Sequence, residues 1–225
     1  MPNIQKSSVG FLNKHQFWLF IIAAIIFIQI PIISVPFKWL ESYFHEISHG
    51  LAALITGGSV VQIELFPNGA GLCTTRGGFT LLISFMGYAG AIMWGYLIYS
   101  IASINQKVAK IVTGLIIALI VCSLIFWVRD LLTLFILLVV LGIFFLQFKL
   151  PKLGYLQKLL KFTGIMVLLN SLLSPLYLLD GRSLGDGARL AEITFIPELI
   201  WVIIWSVMAI LSLFTLSKRS KFPLR

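Results

Sequence analysis

The chain has few charged residues. Only 11% of its 225 residues are Asp, Glu, Lys or Arg, whereas 59% are hydrophobic. A water-soluble domain needs more charged residues to cover its surface, so this composition excludes an ordinary soluble protein and indicates that lipid is the main solvent. We therefore expect residues 1–225 to form a single membrane-embedded domain.

Cysteine and acidic residues are also scarce. The two cysteines, Cys73 and Cys122, do not suggest a disulfide framework. The formal net charge is +9, but the basic residues cluster at the ends of apolar runs, where side chains bind lipid headgroups. We expect the lipid bilayer as a partner and no nucleic acid. The first apolar run is too long for a cleavable signal peptide, which indicates a retained helix.

Long apolar runs are plentiful, and a run of about 20 residues can cross a membrane as a helix. The candidates in chain order are 17–35, 39–55, 79–101, 110–128, 131–148, 162–179 and 196–216. Between the second and third, residues 60–66 and 72–76 favour strands and flank the turn signal Pro67-Asn68-Gly69. The sequence predicts an all-α polytopic membrane protein, a bundle of about six to seven transmembrane helices with a short β-hairpin after the second.

Two of the three histidines lie in the second apolar run. His45 and His49 flank Glu46, and residues i and i+4 share one face of a helix. H-E-x-x-H on a helix is the pattern of zinc peptidases, with two imidazole ligands and a carboxylate general base. Ionisable groups are costly at membrane depth, and a divalent cation offsets that cost. The alternative is a polar packing cluster without metal.

A catalytic zinc site usually has a third protein ligand, and the chain has only eight acids to supply it. We favour Asp180, which ends the sixth apolar run. Asp186, in Gly185-Asp186-Gly187, is the rival ligand, although a loop or helix-cap role is favoured for it. Glu41, one turn before His45, either orients that imidazole or anchors the helix at the interface.

His45-Glu46-x-x-His49-Gly50 and the later Leu179-Asp180-Gly181 resemble the site-2 protease family of intramembrane zinc metallopeptidases. Residues 45–58, 63–69 and 75–78 are similar to a small bacterial subgroup of it. The resemblance implies one zinc ion per chain, bound by His45, His49 and Asp180, with Glu46 as the base. It also implies a hairpin that clamps a substrate helix, and a site on the cytoplasmic side of a bacterial inner membrane.

Asn170 and Pro175 depart from that pattern, because the family's Asn-x-x-Pro is spaced more tightly. In an apolar helix Asn170 either bonds the substrate or joins two helices. The glycines 87, 90 and 95 in the third run indicate close helix contacts, beside a polar channel or simply between ordinary helices.

We therefore predict a zinc metalloprotease that cleaves membrane proteins within or near the bilayer. One alternative is a zinc-binding regulator or scaffold that does not cleave. A transporter is disfavoured by the lack of an inverted repeat. Basic residues occur at both termini, around 107–110 and from 149 to 161, and these cannot all lie on one side if every helix crosses. The sequence leaves the membrane orientation open.

Overall fold

A computed structural model describes residues 15–150 and 152–221, and these ranges are mainly helical. The helices are α1 (Gln16–Ile28), α2 (Pro31–Ile55), α3 (Thr80–Ala102), α4 (Gln106–Phe126), α5 (Leu131–Phe148), α6 (Leu153–Leu173), α7 (Asp186–Thr194) and α8 (Glu198–Lys221). A 3-10 helix, Ser174–Leu179, follows α6, and two strands, β1 (Ser59–Leu65) and β2 (Gly71–Arg76), lie between α2 and α3. The predicted fold class is confirmed.

Within the described residues, five helical segments are long and apolar enough to cross a membrane: α3, α4, α5, α8, and α6 with its 3-10 extension. Helices α1 and α2 pass the same test together, but they meet at a bend of 107°. The predicted first span, 17–35, is therefore wrong as one straight helix. Pro31 begins α2, since proline suits the first turn of a helix and cannot continue a preceding one.

Helices α3 and α6 form the centre of the bundle, and glycine lets them approach closely. A Cβ added at Gly164 would lie 2.9 Å from the carbonyl oxygen of Gly95, as expected where small residues line a membrane helix contact. The Gln157 amide donates a hydrogen bond of 2.8 Å to the carbonyl of Ala102. The start of α6 thus lies at the end of α3, so the two helices are antiparallel.

Helix α2 packs along α3 in the same region. The rings of Phe44 and Trp94 stack with centroids 5.1 Å apart, and a Cβ at Gly90 would overlap the hydroxyl group of Ser48. The side of α2 that carries these residues therefore lies directly on α3.

The hairpin lies against protein on the outer edge of β1. Ile63 N–H donates to the carbonyl of Trp127 at 2.9 Å, and Leu65 N–H donates to Thr133 Oγ1 at 2.8 Å. Trp127 lies in the connection from α4 to α5, and Thr133 lies in the first turn of α5. This satisfies polar backbone groups that lipid cannot satisfy, and it holds the hairpin beside the α4–α5 connection.

Candidate metal centre

Helix α2 places the two histidines of the motif on its α3-facing side. Their Nε2 atoms lie 3.0 Å apart, as the one-turn spacing predicts. His49 is buried and His45 is nearly so. A pair of ring nitrogens this close in an apolar bundle needs a shared acceptor or cation between them.

The carboxylate of Asp186 lies on this pair. Its Oδ2 atom is 3.0 Å from His45 Nε2 and 3.2 Å from His49 Nε2. Gly185 precedes it with φ +97°, a conformation that side chains disfavour, and it turns the chain into α7. A Cβ at Gly187 would lie 2.8 Å from Glu198. The two flanking glycines thus allow the start of α7 to reach the histidines.

Asp180 lies elsewhere. Its side chain is exposed, and it accepts hydrogen bonds from the Arg182 side chain at 2.6 Å and from the Arg182 backbone at 2.9 Å. These bonds from Arg182 lower the pKa of Asp180 below its ordinary value. The expectation that Asp180 joins the histidines is corrected: Asp186 lies there, and Asp180 is engaged by a neighbouring arginine.

The interpretation of Asp186 as a cap also needs correction. Gly185 is the N-cap residue of α7, and Asp186 is the first residue of the helix. Burial on its own raises the pKa of Asp186, but the charge on His49 and hydrogen bonds from both imidazoles outweigh burial and lower it. The group is therefore held as a carboxylate. The sequence signal that favours Asp186 is the glycine on each side of it.

The three side chains fit a zinc ion. Zinc is commonly bound by nitrogen and oxygen ligands at about 2.0–2.1 Å in tetrahedral geometry, which separates the ligand atoms by about 3.3 Å. The separations here are 3.0, 3.0 and 3.2 Å. His45, His49 and Asp186 together form the group of side chains able to hold a metal ion in the described part of the chain.

Helix α3 leaves space for an ion beside these atoms. A Cβ added at Gly87 would lie 2.6 Å from His45 Nε2, and nearer still to His49 Nε2. Any side chain at position 87 would therefore fill the hollow that the two nitrogens face. Of the three glycines in the third predicted span, Gly87 faces the metal centre, whereas Gly90 and Gly95 allow close contacts with α2 and α6.

Each imidazole is held by a different neighbour. His49 Nδ1 donates to the carbonyl of Ile83 at 2.6 Å, so Nε2, which faces Asp186, is the atom that would bind a metal after losing its own proton. The His45 ring packs edge-on to Tyr88 with centroids 4.4 Å apart. Tyr88 in turn packs on Trp205 at 4.7 Å. A hydrogen bond orients His49, and ring packing orients His45.

Glu46 lies under the hairpin. It is 4% exposed, and a Cβ added at Gly71 would lie 2.6 Å from Glu46 Cγ and 2.7 Å from Ser42 Oγ. The first residue of β2 therefore sits directly over the carboxylate, and the lack of a side chain there gives Glu46 its space.

Glu41 and Asn170 support the fold around the centre. Glu41 is buried and accepts a hydrogen bond of 2.9 Å from Ser174 Oγ, which ties α2 to the 3-10 helix that leads towards Asp186. Asn170 donates to the carbonyl of Met166 in its own helix at 2.8 Å. Pro175 lies at the start of the 3-10 helix where α6 ends.

Comparison with known proteins supports the same chemistry. No curated protein and no solved structure matches the chain. A family model described as Peptidase M50B-like matches residues 18–216, which include the whole metal centre. The chain therefore belongs to the Peptidase M50B-like family, a site-2 protease family of intramembrane metallopeptidases.

Proposed function

We propose that this membrane protein is a zinc metalloprotease, with one zinc ion held by His45, His49 and Asp186 and with Glu46 as the general base. Its substrates are membrane proteins, cleaved within or near the bilayer, and one domain carries the site. The proposed location of the protein is a bacterial inner membrane, as the family resemblance implies. The observation that carries it is the triangle of three ligand atoms, each within 3.2 Å of the others, beside the hollow at Gly87.

His45, His49 and Asp186 would hold the zinc ion, which would supply a Lewis acid for the scissile carbonyl and for the attacking water. Glu46 takes the proton from the attacking water and returns it to the leaving amine. Its buried position beneath Gly71 keeps bulk water from competing for that proton. The Ile83 carbonyl and the Tyr88 ring keep both imidazoles in a ligating orientation.

The hairpin provides the place for an unwound substrate. A helical substrate shields its scissile carbonyl by internal hydrogen bonds, so the segment must be extended before cleavage. The outer edge of β1 already donates to Trp127 and Thr133, which leaves β2 as the strand to which an extended peptide can add. Since β2 begins over Glu46, a peptide on that edge passes close to the base.

The zinc content of detergent-purified protein, prepared without chelators, tests the ligand set. We expect one ion per chain in the wild type, near-complete loss in Asp186→Ala and retention in Asp180→Ala. The two variants form a matched pair, since they remove the same group from sites six positions apart. Loss in Asp180→Ala with retention in Asp186→Ala would restore Asp180 as the ligand.

Glu46→Gln separates a protease from a zinc-binding regulator. The change keeps the size of the side chain and removes the base, so we expect zinc to stay bound while cleavage stops. The measurement compares membrane-protein fragments in cells that express the wild type with those in cells that express the variant. Identical fragment patterns would exclude the proteolytic function and favour the regulator.

A further inference from the structure

Ser42 differs from the other buried serines of α2 in what its hydroxyl group contacts. Ser34 donates to the carbonyl of Pro31 at 3.2 Å. Ser48 donates to the carbonyl of Phe44 at 2.6 Å, the usual bond of a serine inside a helix. Within the described residues, the Ser42 hydroxyl makes no hydrogen bond, although Ser42 is only 4% exposed. A buried hydroxyl without a partner costs free energy, so this one is available to a molecule from outside the chain.

Glu46, one turn after Ser42, faces the same point beneath the hairpin. A Cβ added at Gly71 would lie 2.7 Å from Ser42 Oγ and 2.6 Å from Glu46 Cγ, because residues i and i+4 share one face of a helix. The Glu46 carboxylate, like the hydroxyl, has no hydrogen-bond partner in the part of the chain that the structure describes. An acceptor and a group that can donate or accept therefore meet beneath Gly71. A peptide main chain supplies the complementary N–H and C=O groups.

Strand β2 and helix α2 run in the same direction. A Cβ added at Gly69, in the hairpin turn, would lie 3.1 Å from Lys38 Cβ. A Cβ added at Gly50, twelve positions further along α2, would lie 3.7 Å from Cys73 Sγ. Between these two contacts, β2 begins over Ser42. An extended peptide on the free edge of β2 therefore follows α2 and passes Ser42 on its way along the metal centre.

From this arrangement we propose that Ser42 is a substrate-binding residue, whose hydroxyl group hydrogen-bonds the main chain of the substrate next to the scissile bond. Ser42 precedes Glu46 by one turn, which is about 6 Å along α2 at a helical rise of about 1.5 Å per residue. An extended chain advances about 3.3 Å per residue, so the bound peptide group lies within roughly two residues of the bond that is cleaved. The inference rests on the proposed function, which supplies the scissile bond.

A hydrogen bond from Ser42 to the main chain selects the conformation of the substrate and not its sequence. Within a helix the backbone N–H and C=O groups bond one another, so a helical substrate offers Ser42 no free group. An unwound segment offers both groups. Ser42 therefore stabilises the extended form of the substrate at the site, which is the form that the segment must take before cleavage.

Binding of hydroxamates to detergent-purified, zinc-loaded protein tests the role of Ser42. Acetohydroxamate binds the metal and carries no peptide. Two longer probes carry a leucyl-leucine segment, one on the amino side of the hydroxamate group and the other on its carboxyl side, so both directions along α2 are sampled. Titration calorimetry measures the affinity of each probe for the wild type and for Ser42→Ala.

In the wild type we expect at least one longer probe to bind more tightly than acetohydroxamate. Ser42→Ala should weaken the binding of that probe by roughly 2- to 12-fold, the effect of one hydrogen bond. The zinc content and the affinity for acetohydroxamate should not change. Ser34→Ala is the matched control, because the Ser34 hydroxyl is already bonded within its own helix, and it should alter none of the affinities.

Equal affinities of the wild type and Ser42→Ala for both longer probes overturn the inference, and so does an equal loss for acetohydroxamate, which would give Ser42 a role in the metal centre alone. Wild-type protein that binds neither longer probe more tightly than acetohydroxamate has no peptide site beside the metal, which also overturns it. Wild-type protein that binds no acetohydroxamate overturns the metal centre and this inference together. Since the test measures binding, its failure is distinguishable from a Glu46→Gln variant that still cleaves.

Discussion

Helix α3 and strand β2 lie on two sides of the metal centre, and we call them the α3 wall and the hairpin wall. Each places a glycine next to a different functional group. Helix α3 turns Gly87 towards the two histidine nitrogens, whereas β2 turns Gly71 towards Glu46. The α3 wall therefore controls whether an ion can bind, and the hairpin wall controls the base. The difference indicates that metal binding and proton transfer can be disrupted separately.

The broadest expected effect is that of Gly87→Ala, which should remove metal binding and cleavage together. Alanine favours a helix over glycine by roughly 1 kcal/mol, so the fold should persist, but the methyl group fills the hollow at the histidines. We expect zinc content to fall below about a tenth of the wild-type value, because catalytic zinc sites need their full ligand set. Gly142→Ala is the control, since a Cβ there meets nothing within 4 Å. A fully zinc-loaded Gly87→Ala protein would contradict the role of the α3 wall.

Gly71→Ala tests the other wall. The methyl group displaces the Glu46 carboxylate while the histidines stay in place, so zinc should remain bound. Cleavage should drop by roughly 10²- to 10⁴-fold, the usual contribution of a general base. Zinc analysis and fragment detection are carried out on the same preparation. If zinc is lost along with cleavage, the two walls are not independent.

Tyr88 should matter less, because it acts only through His45. Tyr88→Leu removes the ring that packs on the imidazole, and the zinc affinity should weaken by about 10-fold, the lower end for groups that orient a ligand. Tyr88→Phe keeps the ring and should restore the affinity. Competition with a chelator of known affinity measures both, and equal losses in the two variants would instead implicate the hydroxyl group.

The smallest expected effect is that of Thr133→Val, which removes a hydrogen bond that holds the hairpin in place. Thr133→Val keeps the shape of the side chain but leaves the Leu65 N–H without its acceptor. The cost should be about 1–3 kcal/mol, seen as a lower thermal unfolding temperature and faster amide exchange in β1. Zinc content should not change, since α3 is untouched. Unchanged exchange in β1 would show that this bond does not hold the hairpin.

Much of the architecture is readable from local sequence. Residues 131–148 form α5 as predicted, and the strands match the predicted hairpin closely, because apolar length and turn residues act over short distances. The first span was mispredicted because Pro31 ends one helix and begins another inside a continuous apolar run.

The candidate site likewise has residues whose arrangement the sequence predicts and residues whose arrangement it does not. His45, Glu46 and His49 are placed by one turn of helix, so their spacing alone predicts their arrangement. Asp180 and Asp186 both follow the same apolar run. The glycine on each side of Asp186 permits a close approach to another helix, but the distance of either acid from α2 is not set by its neighbours in the chain.

Composition and helical periodicity were enough to assign this protein to the membrane and to bring two histidines and a glutamate onto one stretch of helix, because both are properties of neighbouring residues. The choice of Asp186 and the hollow at Gly87 depend on how α3 packs against both α2 and α7, and on the position at which α7 begins. Those contacts join residues far apart in the chain, so only the folded bundle decides them.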